Sequence, residues 1–199
     1  MKSQNSAITD FLSAATKDDD DLSEALATEL TSADELPLLD VLHDTNNDLR
    51  WWAVRALALV GGEQSVAPLL TKLDDADPLL RSAALLALAA LHSRQPAAVN
   101  PHLAQMARLL ADPEGTVRQS ATDALSQCGD AAVPALAAVL QSDHQGARTR
   151  ATIALRQIAT MPAAAVLYRC LNDSNYMVHT YAYECLDEMG LLENVLLAV

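Results

Sequence analysis

The sequence predicts an all-α fold, an α-solenoid of about five helical-hairpin repeats, and three observations carry that expectation. The first is internal repetition. Aligned on Arg50, Arg81, Arg118, Arg148 and His179, the chain shows alanine three positions on in every copy (Ala53, Ala84, Ala121, Ala151, Ala182). Leucine stands seven positions on (Leu57, Leu88, Leu125, Leu155, Leu186) and eight positions before (Leu42, Leu73, Leu110, Leu140, Leu171). A period near thirty residues, held over five copies, marks stacked supersecondary units rather than one compact core. The second is composition: 51% hydrophobic and only 4% aromatic, with Ala and Leu supplying the bulk, favours closely packed helices. The third is punctuation, because a short polar turn precedes every anchor, at 44–48, 74–77, 112–115, 142–146 and 172–175.

Residues 1–33 fall outside these columns. Ile8, Phe11 and Leu12 predict one short helix, and Leu22, Ala25, Leu26 and Leu30 predict another. The acidic run Asp18 to Asp21 between them suits the start of a helix, where negative charge is favourable. Together they are expected to form an acidic cap over the apolar flank of the first repeat. The repeats then occupy 34–190. Leu36, Leu39 and Leu42 recur on one face of a first helix, as do Val66, Leu69, Leu70 and Leu73 one repeat later. Each second helix carries apolar residues three, six, seven and ten positions after its anchor, which in the first copy are Ala53, Ala56, Leu57 and Val60.

Boundaries follow from punctuation. Asp77 before Pro78 is a helix start, an oxygen acceptor followed by a residue with no orphan N–H. Gly61, Gly129 and Gly190 stand where second helices stop and are expected to adopt left-handed caps. Anchor spacings of 31, 37, 30 and 31 place one longer connection near 93–101, containing Pro96 and Pro101. It reads as an extended inter-helix loop, free to protrude toward a partner. Residues 191–199, with Leu191, Leu192, Val195, Leu196, Leu197 and Val199, form an apolar half-repeat helix. That helix either closes the last repeat or pairs two chains, leaving monomer and weak dimer both open.

The formal net charge of −13 is uneven. Residues 1–48 hold twelve acids against Lys2 and Lys17, a net of −10, while the repeat array is close to neutral. A polyanionic partner is disfavoured from that end, so nucleic acid is not expected. No run of apolar residues is long enough to span a membrane, and residues 1–15 lack the basic start and apolar stretch of a secretory signal. Cys128, Cys170 and Cys185 lack metal-ligand spacing and read as small buried hydrophobes, which fits a cytoplasmic location.

The pattern resembles the HEAT-repeat family, specifically the short repeats first noted in phycobilisome lyases. Pro37-Leu38-Leu39, Pro68-Leu69-Leu70 and Pro134-Ala135-Leu136 carry the resemblance, with Asp44…Arg50, Asp75…Arg81 and Asp112…Arg118. Ala53-Val54-Arg55-Ala56-Leu57 and Ala84-Leu85-Leu86-Ala87-Leu88 complete it. The resemblance covers 36–190 and implies a right-handed, HEAT/armadillo-like superhelix. It also implies that Asp44, Asp75, Asp112, Arg50, Arg81, Arg118 and Arg148 form a structural ladder along the turns, bridging neighbouring repeats. Ser142 and His179 break those columns, so the ladder is expected to weaken in the last two repeats.

Catalytic signatures are missing from the sequence. There is no glycine-rich phosphate loop, no Cys-x-x-Cys pair and no His-Glu pair of the kind that holds iron in deoxyhypusine hydroxylase, a HEAT-like enzyme. His43, His92, His102, His144 and His179 are scattered, so no catalytic residue, cofactor or metal is expected. The chain is expected to be a non-catalytic protein–protein interaction scaffold or adaptor. Bilin-lyase-like or other protein-modifying activity is the alternative, and HEAT-like DNA binding or glycosylase action is third.

In the family the second helices line the concave wall, so the columns one, five, eight and nine after the anchor face the groove, with column two at its margin. Read that way, Trp51, Arg55, Leu59 and Leu86 form an apolar patch for a protein or peptide partner. Ile153 belongs to the same wall, and Trp52, Arg150 and Tyr181 stand at its margin. Trp51 and Trp52 point about 100° apart on a helix, so at most one is expected to be fully buried: either Trp52 packs against the amino-terminal cap while Trp51 covers a helix surface, or Trp51 belongs to the patch.

Overall fold

The computed structural model describes residues 4–192, with side chains from Ala7 onward. Of the apolar half-repeat helix expected at 191–199, Leu191 and Leu192 lie outside any helix, with Leu192 buried, while 193–199 and any dimer they would make lie outside the described residues. The chain divides into two compact units, Met1–Val99 and Asn100–Val199. The described residues contain helices and turns and no strand.

The first unit holds α1 (Gln4–Thr16), α2 (Asp20–Ala27), α3 (Glu35–Val41), α4 (Asn47–Val60), α5 (Glu63–Lys72), α6 (Pro78–Arg94) and α7 (Pro96–Val99). Here α3 packs on α4 and α5 on α6 as hairpins, α4 lies beside α6, and α1 packs on both α2 and α4. The second unit holds α8 (Leu103–Ala107), α9 (Gly115–Gln127), α10 (Val133–Val139), α11 (Gln145–Ile158), α12 (Met161–Tyr168) and α13 (Tyr176–Glu188). There α8–α9, α10–α11 and α12–α13 are the hairpins, and α11 lies between α9 and α13.

The repeating turn explains why the second helices start where they do. Two residues ahead of the N-cap, the column aspartate folds the backbone onto itself. Asp44, Asp75, Asp112 and Asp173 each accept the N–H two positions on through Oδ1, at 2.8, 3.0, 2.8 and 2.7 Å. The next residue but one then caps the helix: Asn46, Asp77 and Asn175 through Oδ1, and His144 through Nδ1. Replacing such a cap by alanine costs about 1 kcal/mol. The anchor arginine closes the same turn. Arg50, Arg81 and Arg118 each donate from Nη1 to the main-chain carbonyl six residues earlier, at 3.0, 2.9 and 2.7 Å. These bonds close each turn locally. Arg148 reaches forward to the Asp173 carboxylate in the next repeat, with both side chains only 15% exposed. A rung of this kind runs from one arginine to the following aspartate, so the junction of the last two repeats keeps its bridge despite Ser142 and His179.

The core lies on columns only partly expected. Leu38, Leu69, Met106, Leu136 and Leu167, twelve positions before their anchors, are all completely buried. Leu36, expected on that face, is exposed at 63%. On α2 the buried face is Ser23 and Ala27, followed by Leu30, whereas Leu22 and Ala25 point outward. Second helices also bury a column four positions after the anchor: Val54, Leu85, Thr122 and Thr152. Ala89, expected on the open face, is buried as well. A helix flanked by its own hairpin partner and by neighbouring second helices is covered over a wider arc than one apolar stripe.

Two boundary expectations change. Gly129 and Gly190 are left-handed, with φ of 58° and 69°, but Gly61 is extended. Its need for glycine is steric: a Cβ there would stand 2.5 Å from the Leu57 carbonyl oxygen and 2.8 Å from Ser65 Oγ. Left-handed geometry at the corresponding stop of α11 falls to Ala159, with φ 49°. The long connection near 93–101 is helical rather than a loop. The helix α6 continues to Arg94, α7 follows directly, and Val99 is completely buried.

Candidate functional site

Three helices of the first unit, α2, α4 and α6, frame a cavity of about 580 Å³. Its room comes from small residues, Ala27, Ala58, Ala83 and Ala87, beneath a rim of large ones. Leu59, Leu79 and Leu86 stand on that rim with 55%, 61% and 43% of their surface open to solvent. Apolar side chains exposed together around a depression are the arrangement that a binding surface presents.

The two tryptophans of α4 divide their roles. Trp52 is 3% exposed and meets Phe11 of α1 edge-to-face, with ring centroids 6.1 Å apart. It is thus a buried structural residue at the back of the cavity and not a marginal contact residue. Trp51 is half-buried and stands edge-to-face on Trp52 at 5.1 Å. The Arg55 guanidinium lies 4.7 Å from the Trp51 ring centre and 5.0 Å from that of Trp52. Arg55 also donates to Glu24 Oε1 of α2 at 3.2 Å. Both of these charged side chains are well exposed, so their pairing positions Arg55 more than it stabilises the fold.

A second cavity of about 380 Å³ shares Trp51, Trp52 and Leu79 with the first. Its other lining residues are polar: Asp18, Asp20, Asn47, Asp48 and Asp77. An apolar recess and an acidic one therefore meet across the same tryptophan pair.

Trp51, Arg55, Leu59 and Leu86, grouped by sequence reasoning, do line one cavity, with Trp52 behind them. Arg150, Ile153 and Tyr181 belong to the second unit, on α11 and α13, each half-buried. Arg150 donates to Gln119 Oε1 of α9 at 2.6 Å. Sequence reasoning missed the α2 wall (Glu24, Ala27, Thr28) and the rim residue Leu79. Glu24 precedes Arg55 by 31 residues, one repeat length, which is the signal that would have placed α2 beside α4.

Elsewhere in the second unit, Arg156 bonds both Glu184 and Glu188, and the hydrogen bond to Glu188 is the larger cause holding its guanidinium charged beyond its ordinary range. The three cysteines are buried and free, and burial pushes the Cys128 thiol up to about 11. Among the described residues, no group of three or more His, Cys, Asp or Glu is placed to hold a metal ion. No helix among them is long and apolar enough to cross a membrane.

A family model described as HEAT repeats matches residues 35–126 and 100–187. No curated protein sequence matches the chain. Among solved structures, the Escherichia coli protein YibA is similar at TM-score 0.63 and 16% identity, over 97% of this chain and 77% of that one. An engineered protein is similar at TM-score 0.50 and 19% identity, covering 92% of this chain and 96% of its own. The CpcE–CpcF complex of phycocyanin lyase from Nostoc matches at 0.45 and 17% identity, over 90% and 98%, which is too distant to bear on activity. At these identities the likenesses establish the fold alone.

Proposed function

The chain belongs to the HEAT-repeat family, and from that premise we propose that it is a non-catalytic protein–protein interaction scaffold whose first unit receives an apolar side chain of a partner protein between α2, α4 and α6. The supporting observation is the rim of Leu59, Leu79 and Leu86 around an alanine-floored cavity beside Trp51 and Arg55. Trp and Arg are the side chains in which binding energy concentrates, and leucines around them exclude water from the contact. The cavity lining includes neither imidazole nor thiol, and its one carboxylate, Glu24, is engaged by Arg55. Such a lining can bind and orient but offers no base paired with a nucleophile. The reading places the protein in the cytoplasm, where three unpaired cysteines stay reduced.

The test compares immobilised wild-type chain with a Trp51→Ala/Leu86→Ser variant whose helicity is intact. Proteins recovered by the first and lost by the second are purified and titrated against both. At least a tenfold weakening in the variant is expected, since two central contacts are removed. Equal recovery and equal affinity would sink the proposal.

A further inference from the structure

We infer that the segment received by this face is a basic, amphipathic stretch of protein: one bulky apolar side chain with lysine or arginine within a few residues of it. The inference rests on the function proposed above and adds the chemistry of the occupant. The two recesses adjoin across Trp51 and Leu79, so a segment that seats an apolar group against Leu59 and Leu86 has the second recess within reach of its neighbouring side chains. That recess is lined by Asp18, Asp20, Asp48 and Asp77. Among the described lining residues of the two cavities the one base is Arg55, and it is spoken for by Glu24. Lys17, near in sequence, lies with Asp10 and Asp19 around a separate cavity.

The helix N-termini here oppose the carboxylates, so magnitudes decide the sign. Asp20 and Asp48 sit in the first turns of α2 and α4, and Asp77 caps α6. Three helix ends supply about +0.5 of a charge each, roughly +1.5 together. Arg50, which donates to the lining Asn47, adds one more positive charge, and the four carboxylates still outweigh the total, so the recess stays negative. A polyanion such as nucleic acid is repelled from it, whereas a cationic side chain gains there and its apolar neighbour gains next door. Two adjoining recesses of unlike polarity match consecutive side chains of a peptide better than one small molecule.

The full-length protein is used to select from random short peptides displayed on phage, in parallel with Trp51→Ala/Leu86→Ser and with Asp20→Asn/Asp48→Asn, each checked for intact helicity. Peptides enriched on wild type are expected to carry a large apolar residue flanked by Lys or Arg. The strongest, made as a labelled synthetic peptide, should bind Asp20→Asn/Asp48→Asn about tenfold more weakly at low salt. Its analogue with Glu for Lys or Arg should lose at least as much. Enrichment of apolar peptides without basic bias, or unchanged affinity in the Asp→Asn variant, overturns the inference and leaves the scaffold reading standing. Failure of any peptide to distinguish wild type from Trp51→Ala/Leu86→Ser overturns both.

Discussion

Adjacent tryptophans with opposite roles give the sharpest check on where the free surface lies. Trp52 is 3% exposed between Phe11 and Trp51, so Trp52→Ala removes a fully packed indole. An indole buries about 200 Å², which at about 25 cal/mol/Å² is roughly 5 kcal/mol as an upper bound, and buried Trp→Ala changes cost about 3–5 kcal/mol. Trp51→Ala removes less. Largely but not fully covered, it gives up roughly two-thirds of that area, about 3 kcal/mol as an upper bound, while the ring–ring contact and the Arg55 contacts are lost in either variant. The expected gap between the variants is therefore about 1–2 kcal/mol, with Trp52→Ala the less stable. Denaturant unfolding followed by far-UV circular dichroism measures it, with the slope of each transition compared to confirm that the same surface unfolds. If Trp51→Ala costs as much as Trp52→Ala, Trp51 belongs to the core. The cavity is then a fold feature, and loss of binding in Trp51 variants reports only misfolding.

Glycine position and thiol burial give two further expectations. Gly61→Ala should destabilise by about 1–3 kcal/mol through collision with the Leu57 carbonyl and Ser65, while Gly129→Ala, with open space but φ of 58°, should cost about 1 kcal/mol through conformation alone. Thermal unfolding of both separates them, and a neutral Gly61→Ala contradicts the steric reading. The Cys128 thiol ionises near 9.0 when unfolded and near 11 when folded, so the folded state holds the proton longer. Its contribution is intact below pH 9 and falls away as pH rises toward 11, by about 2–3 kcal/mol in full. Cys128→Ala should flatten part of that decline in unfolding free energy, leaving the share of Cys170 and Cys185, whose thiols burial also raises. A decline of unchanged depth removes Cys128 as its cause.

Much of the fold was legible because the signals are local. The Ala and Leu columns fix helix register, and Asp77 with Pro78 fixes a helix start by bonds two residues long. Leu36 shows the limit: a leucine at helical spacing is buried only if something packs on it, and at 63% exposure nothing fully does. The face of α2 was mistaken for the same reason, since Ser23 is completely buried where Leu22 is not. Gly61 shows a second limit, because a stop glycine looks alike whether φ is positive or the Leu57 carbonyl and Ser65 crowd it. The patch of Trp51, Arg55, Leu59 and Leu86 was found by counting positions on one helix face, and that arithmetic holds within α4 and α6.

The amino-acid order by itself determined the paired helices, their turns and the outward register of the α4 and α6 residues that line the cavity, because backbone bonding and helical period act over a few residues. Only the tertiary structure decided which tryptophan is fully buried, that α2 supplies a wall, and that apolar and acidic recesses adjoin. Those facts depend on Phe11 reaching Trp52 and Glu24 reaching Arg55. The repeat length brings Glu24 into register with Arg55, but which side chains meet there is set by packing over many residues.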